Sequence, residues 1–210
     1  MKKILLFFGL IIALFSVFFP DVLALRRGSV SNTAYMREDE GAKQHHWVPI
    51  ERISSHLRRA VVVAEDGRFY KHDGVDVDEL KASVEKNLKK GEYSRGFSTI
   101  TMQLARNLYL TRDKAIWRKL AELLITLKLE LILPKRRILE IYLNVVEWGD
   151  HVYGAEAAAH HYFSKSAAAL SASEAAFLAS ILPSPKKWGH YPPGPYVARR
   201  MQKIQRLMGQ

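Results

Sequence analysis

Glu65 closes an unbroken apolar run, Val61-Val62-Val63-Ala64, and is followed by Asp66-Gly67-Arg68-Phe69-Tyr70-Lys71-His72. A carboxylate set beside four apolar side chains is partly desolvated, which makes it a better acceptor for the proton of a substrate hydroxyl. A solvated helix end explains the same local pattern without any chemistry. A second carboxylate, Glu122, lies inside an apolar helical stretch, where an unpaired charge costs several kcal/mol. Arg118 at i−4 and Lys119 at i−3 are its nearest partners, so Glu122 is either half of a structural ion pair or a working group.

Between these carboxylates runs Arg95-Gly96-Phe97-Ser98-Thr99-Ile100-Thr101-Met102-Gln103-Leu104-Ala105-Arg106-Asn107. A glycine loop opening a helix offers free backbone N–H groups and the positive end of the helix dipole. Ser98 is the natural cap, and Arg106 and Lys114 supply full charges. This is a site for a phosphate or pyrophosphate, although a plain helix cap fits equally well. The spacing matches neither the P-loop nor the dinucleotide-binding pattern, so no nucleotide is implied.

Other motifs have simpler readings. Asp76-Val77-Asp78 resembles a metal-binding pair, but Asp76 with Glu79 three residues on reads as a helix cap. Ser83 to Lys86 and Ser184 to Lys187 match Ser-x-x-Lys, but no Lys-Thr-Gly follows either. The adjacent pairs His45-His46 and His160-His161 converge on one metal less readily than an i, i+4 pair and read as surface or packing residues.

The elements that must position these groups are helical. Leu80, Val84 and Leu88 repeat at helical spacing up to Gly91. On the helix after Ser98, Ile100, Leu104 and Leu108 share one face, while Thr99, Gln103 and Arg106 form a polar strip on another. Trp117 to Leu133 is apolar nearly all round and is expected at the centre of the domain, with Pro134 ending it. Further helices follow through Ile138–Asn144, after a capping box at Ser171–Glu174, and along a basic C-terminal stretch with Val197, Met201, Ile204 and Met208 in register. No alternating run predicts a sheet, so the expected fold is all-α or mainly α.

The whole chain has 210 residues, 48% of them hydrophobic, which allows one domain with a real core and a short appendage. Its formal charge of +11 favours anionic partners, and the absence of cysteine excludes disulfides, thiolate metal sites and a Cys nucleophile. Met1-Lys2-Lys3 precedes an apolar run from Ile4 to Phe19, extended by Val22-Leu23-Ala24-Leu25. That length just spans a bilayer, so residues 1–25 read as a retained transmembrane anchor; Val22-Leu23-Ala24 is a poor signal-peptidase site. Residues 26–44 mix Asn, Thr, Gly and charges without period and read as a juxtamembrane linker, leaving 45–210 as the catalytic domain. Beside an anchor, the basic C-terminal helix is better matched to acidic membrane lipid than to nucleic acid.

In order and spacing these features resemble the glycosyltransferase domain of the penicillin-binding proteins and its monofunctional relatives, glycosyltransferase family 51. The resemblance runs from about Val61 to about Tyr191. Its residues are Glu65-Asp66-x-x-Phe69-x-x-His72-x-Gly74, Gly96-x-Ser98-Thr99-Ile100-x-x-Gln103, Arg118-Lys119-x-x-Glu122, Arg137-Ile138-Leu139-Glu140-x-Tyr142-Leu143-Asn144, and Gly154-x-x-x-Ala158 through Tyr162-Phe163-x-Lys165.

The resemblance implies a lysozyme-like helical fold with a membrane-associated lobe, on the periplasmic or outer face of the bacterial cytoplasmic membrane. It implies polymerisation of lipid II into β-1,4 glycan with inversion and release of polyprenyl pyrophosphate. Glu65 would be the base toward the acceptor sugar, and Glu122 would assist the pyrophosphate side, with Mg2+ or another divalent cation as candidate cofactor and no organic cofactor. Asp66, Phe69, His72, Gly96, Ser98, Thr99, Gln103, Arg106, Lys114, Arg118 and Lys119 would bind substrate. Partners would be lipid II, the lipid-linked growing glycan, membrane lipid and other cell-wall synthases. Two positions depart from the pattern: Met102 stands for a common Gln, removing a hydrogen-bonding group from the donor site, and Arg106 stands for Lys. A glycan-cleaving enzyme of the same fold and a non-catalytic membrane-tethered binding module are the alternatives.

Overall fold

The computed structural model describes residues 21–90, 98–113 and 116–209. Its first helix, α1 (Ala34–Glu38), is capped by Thr33, whose hydroxyl accepts from the Met36 N–H. Met36 is buried in the main core, as are Val22 and Leu25 ahead of it. Val22 and Leu25, read as the end of an anchor, are thus packed with the core, and the stretch read as linker contains a short helix. Five residues are too few to show a helical period, so the capping Thr33 is its only sequence signal. The span Ile4–Phe19, with Gly96 and Lys114, lies outside the described residues; among the described residues no helix is long and apolar enough to cross a membrane.

Helix α2 (Ser55–Glu65) begins at Ser54, whose hydroxyl accepts from the His56 N–H, and buries Leu57, Ala60 and Val61. Helix α3 (Val77–Lys90) starts as expected, with the Asp76 carboxylate accepting from the Glu79 N–H at 3.1 Å. Helix α4 (Ile100–Tyr109) is capped by Thr99 rather than Ser98. Then come α5 (Ile116–Ile132) and α6 (Lys135–Val145), separated by Pro134, which N-caps α6. Helix α7 (Ala155–Phe163), α8 (Ala172–Ile181) with its predicted Ser171/Glu174 capping box, α9 (Pro185–Trp188) and α10 (Pro195–Met208) complete the chain.

Two packed groups organise these helices. The first sets α8 against α2 and α10, burying Ala175 to Ile181 on all sides of α8 and Val197, Ile204 and Met208 on α10. The second packs α4 against α5 and α6. A small sheet, missed by the sequence, ties the amino-terminal segment to the second half: β1 (Gln44–His45) runs parallel to β3 (Val152–Tyr153), which pairs antiparallel with β2 (Glu147–Gly149). Strands this short carry no alternation to read.

Asn144 locks the same junction. Its buried amide donates to the Val48 and Glu140 carbonyls and accepts from the Val48 N–H, each at 2.9 Å. Only glycine fits next to it: Gly154 has φ +85, and a Cβ there would lie 2.5 Å from the Asn144 carbonyl oxygen.

Helix α5 is not the central helix its composition predicts. Ile125 and Leu129 are buried, but Trp117, Leu120, Leu127 and Leu131 are 64%, 60%, 48% and 86% exposed. Their spacing puts them on one side, while Glu122, five residues on from Trp117, turns about 140° away. The helix is therefore apolar on two sides, one packed against α4 and the other exposed.

Candidate active site

Glu65 ends α2, and the helix stops because the next residue, Asp66, leaves helical geometry while its N–H still bonds the Val62 carbonyl. The Glu65 carboxylate is 12% exposed, and one of its oxygens lies 3.6 Å from the Arg200 guanidinium on α10. Its other oxygen accepts from the Gln103 side-chain amide on α4 at 2.9 Å. The amide oxygen of Gln103 accepts in turn from the Tyr142 hydroxyl on α6 at 2.8 Å. Burial first, and then the nearby Glu65 charge, push the Tyr142 phenol well above its ordinary range, so it stays a hydrogen-bond donor.

Asp66 and His72 form the strut under this group. One Asp66 oxygen accepts from the Ile100 N–H at 3.0 Å, and the other pairs with His72 Nε2 at 2.9 Å. The Gly74 N–H donates to His72 Nδ1, which leaves the ring proton on Nε2, facing Asp66. The Thr99 hydroxyl donates to the Gly74 carbonyl at 2.6 Å and caps α4 through the Met102 N–H. Gly74 itself is pressed against α5, where a Cβ would approach the Thr126 methyl to 2.7 Å. The loop after Glu65 and the start of α4 are thus one hydrogen-bonded unit.

Three of the residues expected to touch substrate are consumed by this framework. Asp66 and Thr99 are buried with their polar atoms paired inside the protein, and Phe69 is fully buried with the Lys135 ammonium 4.6 Å from its ring centre. His72 is largely enclosed and held between Asp66 and Gly74. Met102 is also buried, at 4% exposure. Ser98, displaced as cap by Thr99, has a buried hydroxyl with no hydrogen-bond partner among the described residues.

One turn beyond Gln103 on α4, Arg106 approaches the second carboxylate. Glu122 is fully buried, and its oxygens meet Lys119 Nζ at 2.6 Å, Arg118 at 3.2 Å and Arg106 at 3.9 Å. Three cations against one carboxylate leave a positive excess, and Arg106 and Lys119 are the more exposed members that carry it toward solvent. Tyr35 of α1 stands close by: burial raises its phenol pKa, and the charges of Arg106, Arg118 and Arg112 oppose that rise. Arg112 stacks on the Tyr35 ring at 4.5 Å.

This donor set does not fit a resident divalent cation. Both Glu122 oxygens are engaged by cations, and among the described residues no group of three or more His, Asp or Glu side chains is arranged for a metal. What the cluster offers an oxyanion is a set of guanidinium and ammonium donors already gathered by Glu122.

Sequence reasoning brought together Glu65, Gln103, Arg106, Arg118, Lys119 and Glu122, and it overlooked Tyr35, Tyr142 and Arg200. Tyr142 stood in a quoted motif with no role assigned to it. Arg200 sits on a helix whose basic residues read as a lipid-facing surface, and nothing local distinguishes it from Arg199.

A family model described as Transglycosylase matches residues 31–209. The chain is 50% identical over 171 residues to a protein of Chromobacterium violaceum named biosynthetic peptidoglycan transglycosylase, a match covering 81% of this chain and 75% of that one. A protein of the same name from Nitrosospira multiformis is 43% identical over 212 residues, covering 96% and 92% of the two chains. Another, from Paraburkholderia xenovorans, is 44% identical over 201 residues, covering 91% and 84%. With the carboxylate pair and the cation cluster spaced along α4, these matches show that the chain belongs to the transglycosylase family.

Proposed function

We propose that this protein is a peptidoglycan glycosyltransferase that joins the disaccharide units of lipid II into β-1,4-linked glycan at the outer face of the bacterial cytoplasmic membrane. The observation that carries the reading is the pairing along α4 of a carboxylate held by Gln103 with a surplus of positive charge around Glu122. Gln103 and Arg106 are three residues apart, about 4.5 Å along the helix axis. One centre suits a nucleophile that must lose a proton, and the other suits a leaving group that gains charge.

The acceptor's 4-hydroxyl oxygen attacks the anomeric carbon of the lipid-linked donor while Glu65 takes its proton. The bond from that carbon to the pyrophosphate oxygen breaks on the opposite face, which inverts the configuration. The electron pair leaves with polyprenyl pyrophosphate, and Arg106, Arg118 and Lys119 offset the charge that grows on it. Glu122 keeps these cations gathered and oriented; without it three positive groups would repel one another. Glu65, Gln103, Arg106, Arg118, Lys119 and Glu122 are the residues to which we assign direct roles, and Asp66, His72 and Thr99 hold the framework.

The membrane location is supported by the outward apolar side of α5, a feature that is costly in water and natural against lipid. Lipid II, the growing glycan and membrane lipid are the partners this reading requires.

The test is polymerisation of labelled lipid II by the purified protein in detergent. Long glycan and free polyprenyl pyrophosphate are the expected products. Shortening of preformed glycan with no polymer made would replace this reading with that of a lytic enzyme, and salt-sensitive binding without turnover would leave only a binding module.

A further inference from the structure

Gln103 has a two-faced side chain, and its orientation matters. With the amide nitrogen toward Glu65 it donates a hydrogen bond to the carboxylate; flipped by 180°, it would set an oxygen against an oxygen. In the structure the nitrogen faces Glu65 and the amide oxygen faces the Tyr142 hydroxyl. A carboxylate offers no donor, so Glu65 alone favours this orientation only while it is ionised. Once Glu65 holds a proton, that proton can bond the amide oxygen, and the flipped state becomes competitive. A donor fixed on the far side of the amide removes this ambiguity.

Tyr142 is such a donor. Its side chain is fully buried, it sits on α6 in the middle of the core, and among the described residues its hydroxyl donates to Gln103. The charged groups facing this relay are Arg200 from α10, Arg106 from α4 and Asp66 from the loop after α2. None of these reaches the amide oxygen in place of the phenol among the described hydrogen bonds. The core thus spends a buried phenolic hydroxyl, a group that costs free energy to bury unpaired, on the amide oxygen behind the base.

We infer that Tyr142 is a positioning residue for the transfer reaction: it locks the Gln103 amide with its nitrogen on Glu65, and so keeps the base ready after each proton it takes and releases. The inference rests on the assignment of Glu65 as base. Tyr142 touches no substrate in this account; it acts through Gln103.

The experiment is steady-state polymerisation of lipid II across a pH range by wild type, Tyr142→Phe and Tyr142→4-aminophenylalanine. Phe keeps the ring and removes the donor, while the amino group restores a donor at the same place and keeps a polar atom there should the Phe protein fold poorly. For Tyr142→Phe we expect kcat to fall about tenfold at neutral pH with KM changed less than about twofold, and the acid limb of the kcat profile to move upward by roughly one pH unit. The amino variant recovers most of both. In a Gln103→Ala background, Tyr142→Phe has no further effect on kcat, because the path from Tyr142 to the base is already cut.

An unmoved acid limb in a folded Tyr142→Phe protein would overturn the inference, as would equal losses in wild-type and Gln103→Ala backgrounds. Failure of the amino variant to recover the profile would overturn it as well. Loss of the underlying assignment reads differently: a Glu65→Gln protein that polymerises normally removes the base, whatever Tyr142 does.

Discussion

Glu65 and Glu122 are both largely buried carboxylates, and their neighbours separate their tasks. Glu65 accepts from the Gln103 amide and, at longer range, faces the Arg200 guanidinium. Glu122 is fully buried and wedged among three cations. Both were legible as residues, because motif spacing marks them, but their partners were not. Arg200 and Tyr142 lie 135 and 77 positions from Glu65 in the numbering, and no local pattern connects them. A half-buried histidine gives a pH prediction at this scale. His45 bonds the Asn144 carbonyl, and burial lowers its pKa from 6.5, so folding favours its neutral form. The stability this contributes is present above pH 6.5 and is lost as pH falls below it, since the unfolded chain then binds the proton more readily. Thermal melts should show the midpoint falling as pH drops below 6.5, with a shallower fall in His45→Gln; an identical slope would count against it.

Among the elements, α5 shows most clearly what a sequence leaves open. Its composition says only that nearly every side is apolar, which fits a central helix and equally fits one pressed between protein and lipid. The distinction depends on what occupies the other side, and that is not encoded in the helix itself. Leu120 and Leu131 stand on the exposed side, so their replacement removes little from the core. Leu120→Ser/Leu131→Ser should therefore shift the unfolding free energy by less than about 1 kcal/mol, while weakening binding to anionic liposomes by at least about tenfold. Liposome sedimentation checks this, and unchanged binding would mean that another surface holds the membrane. Helices α2, α3, α8 and α10 were legible from caps and apolar spacing. The paired strands β1 to β3 were not, because each is too short for a period and β1 pairs with β3 about 108 positions further on.

For the whole molecule, the amino-terminal segment matters more to the core than its composition suggests. Linker-like composition between residues 26 and 44 hid the fact that Met36, together with Val22 and Leu25, helps to close the core, and that Tyr35 borders the cation cluster. The family match begins within this stretch, at residue 31. A protein beginning at residue 44 should melt at least about 5 °C lower than one beginning at residue 21, since it loses several buried apolar side chains worth about 1.5–3 kcal/mol each. Equal melting temperatures would show that the segment is dispensable to the fold.

All of these scales meet at one carboxylate, held by α2, aimed by α4 and α6, and faced by α10. The most direct measurement is lipid II polymerisation by Glu65→Gln beside wild type, with lipid II binding followed on the same preparations. The account predicts that polymer formation falls by at least about a thousandfold while binding stays within about threefold, because the amide keeps the shape of the site and loses the base. Polymerisation within tenfold of wild type would contradict it.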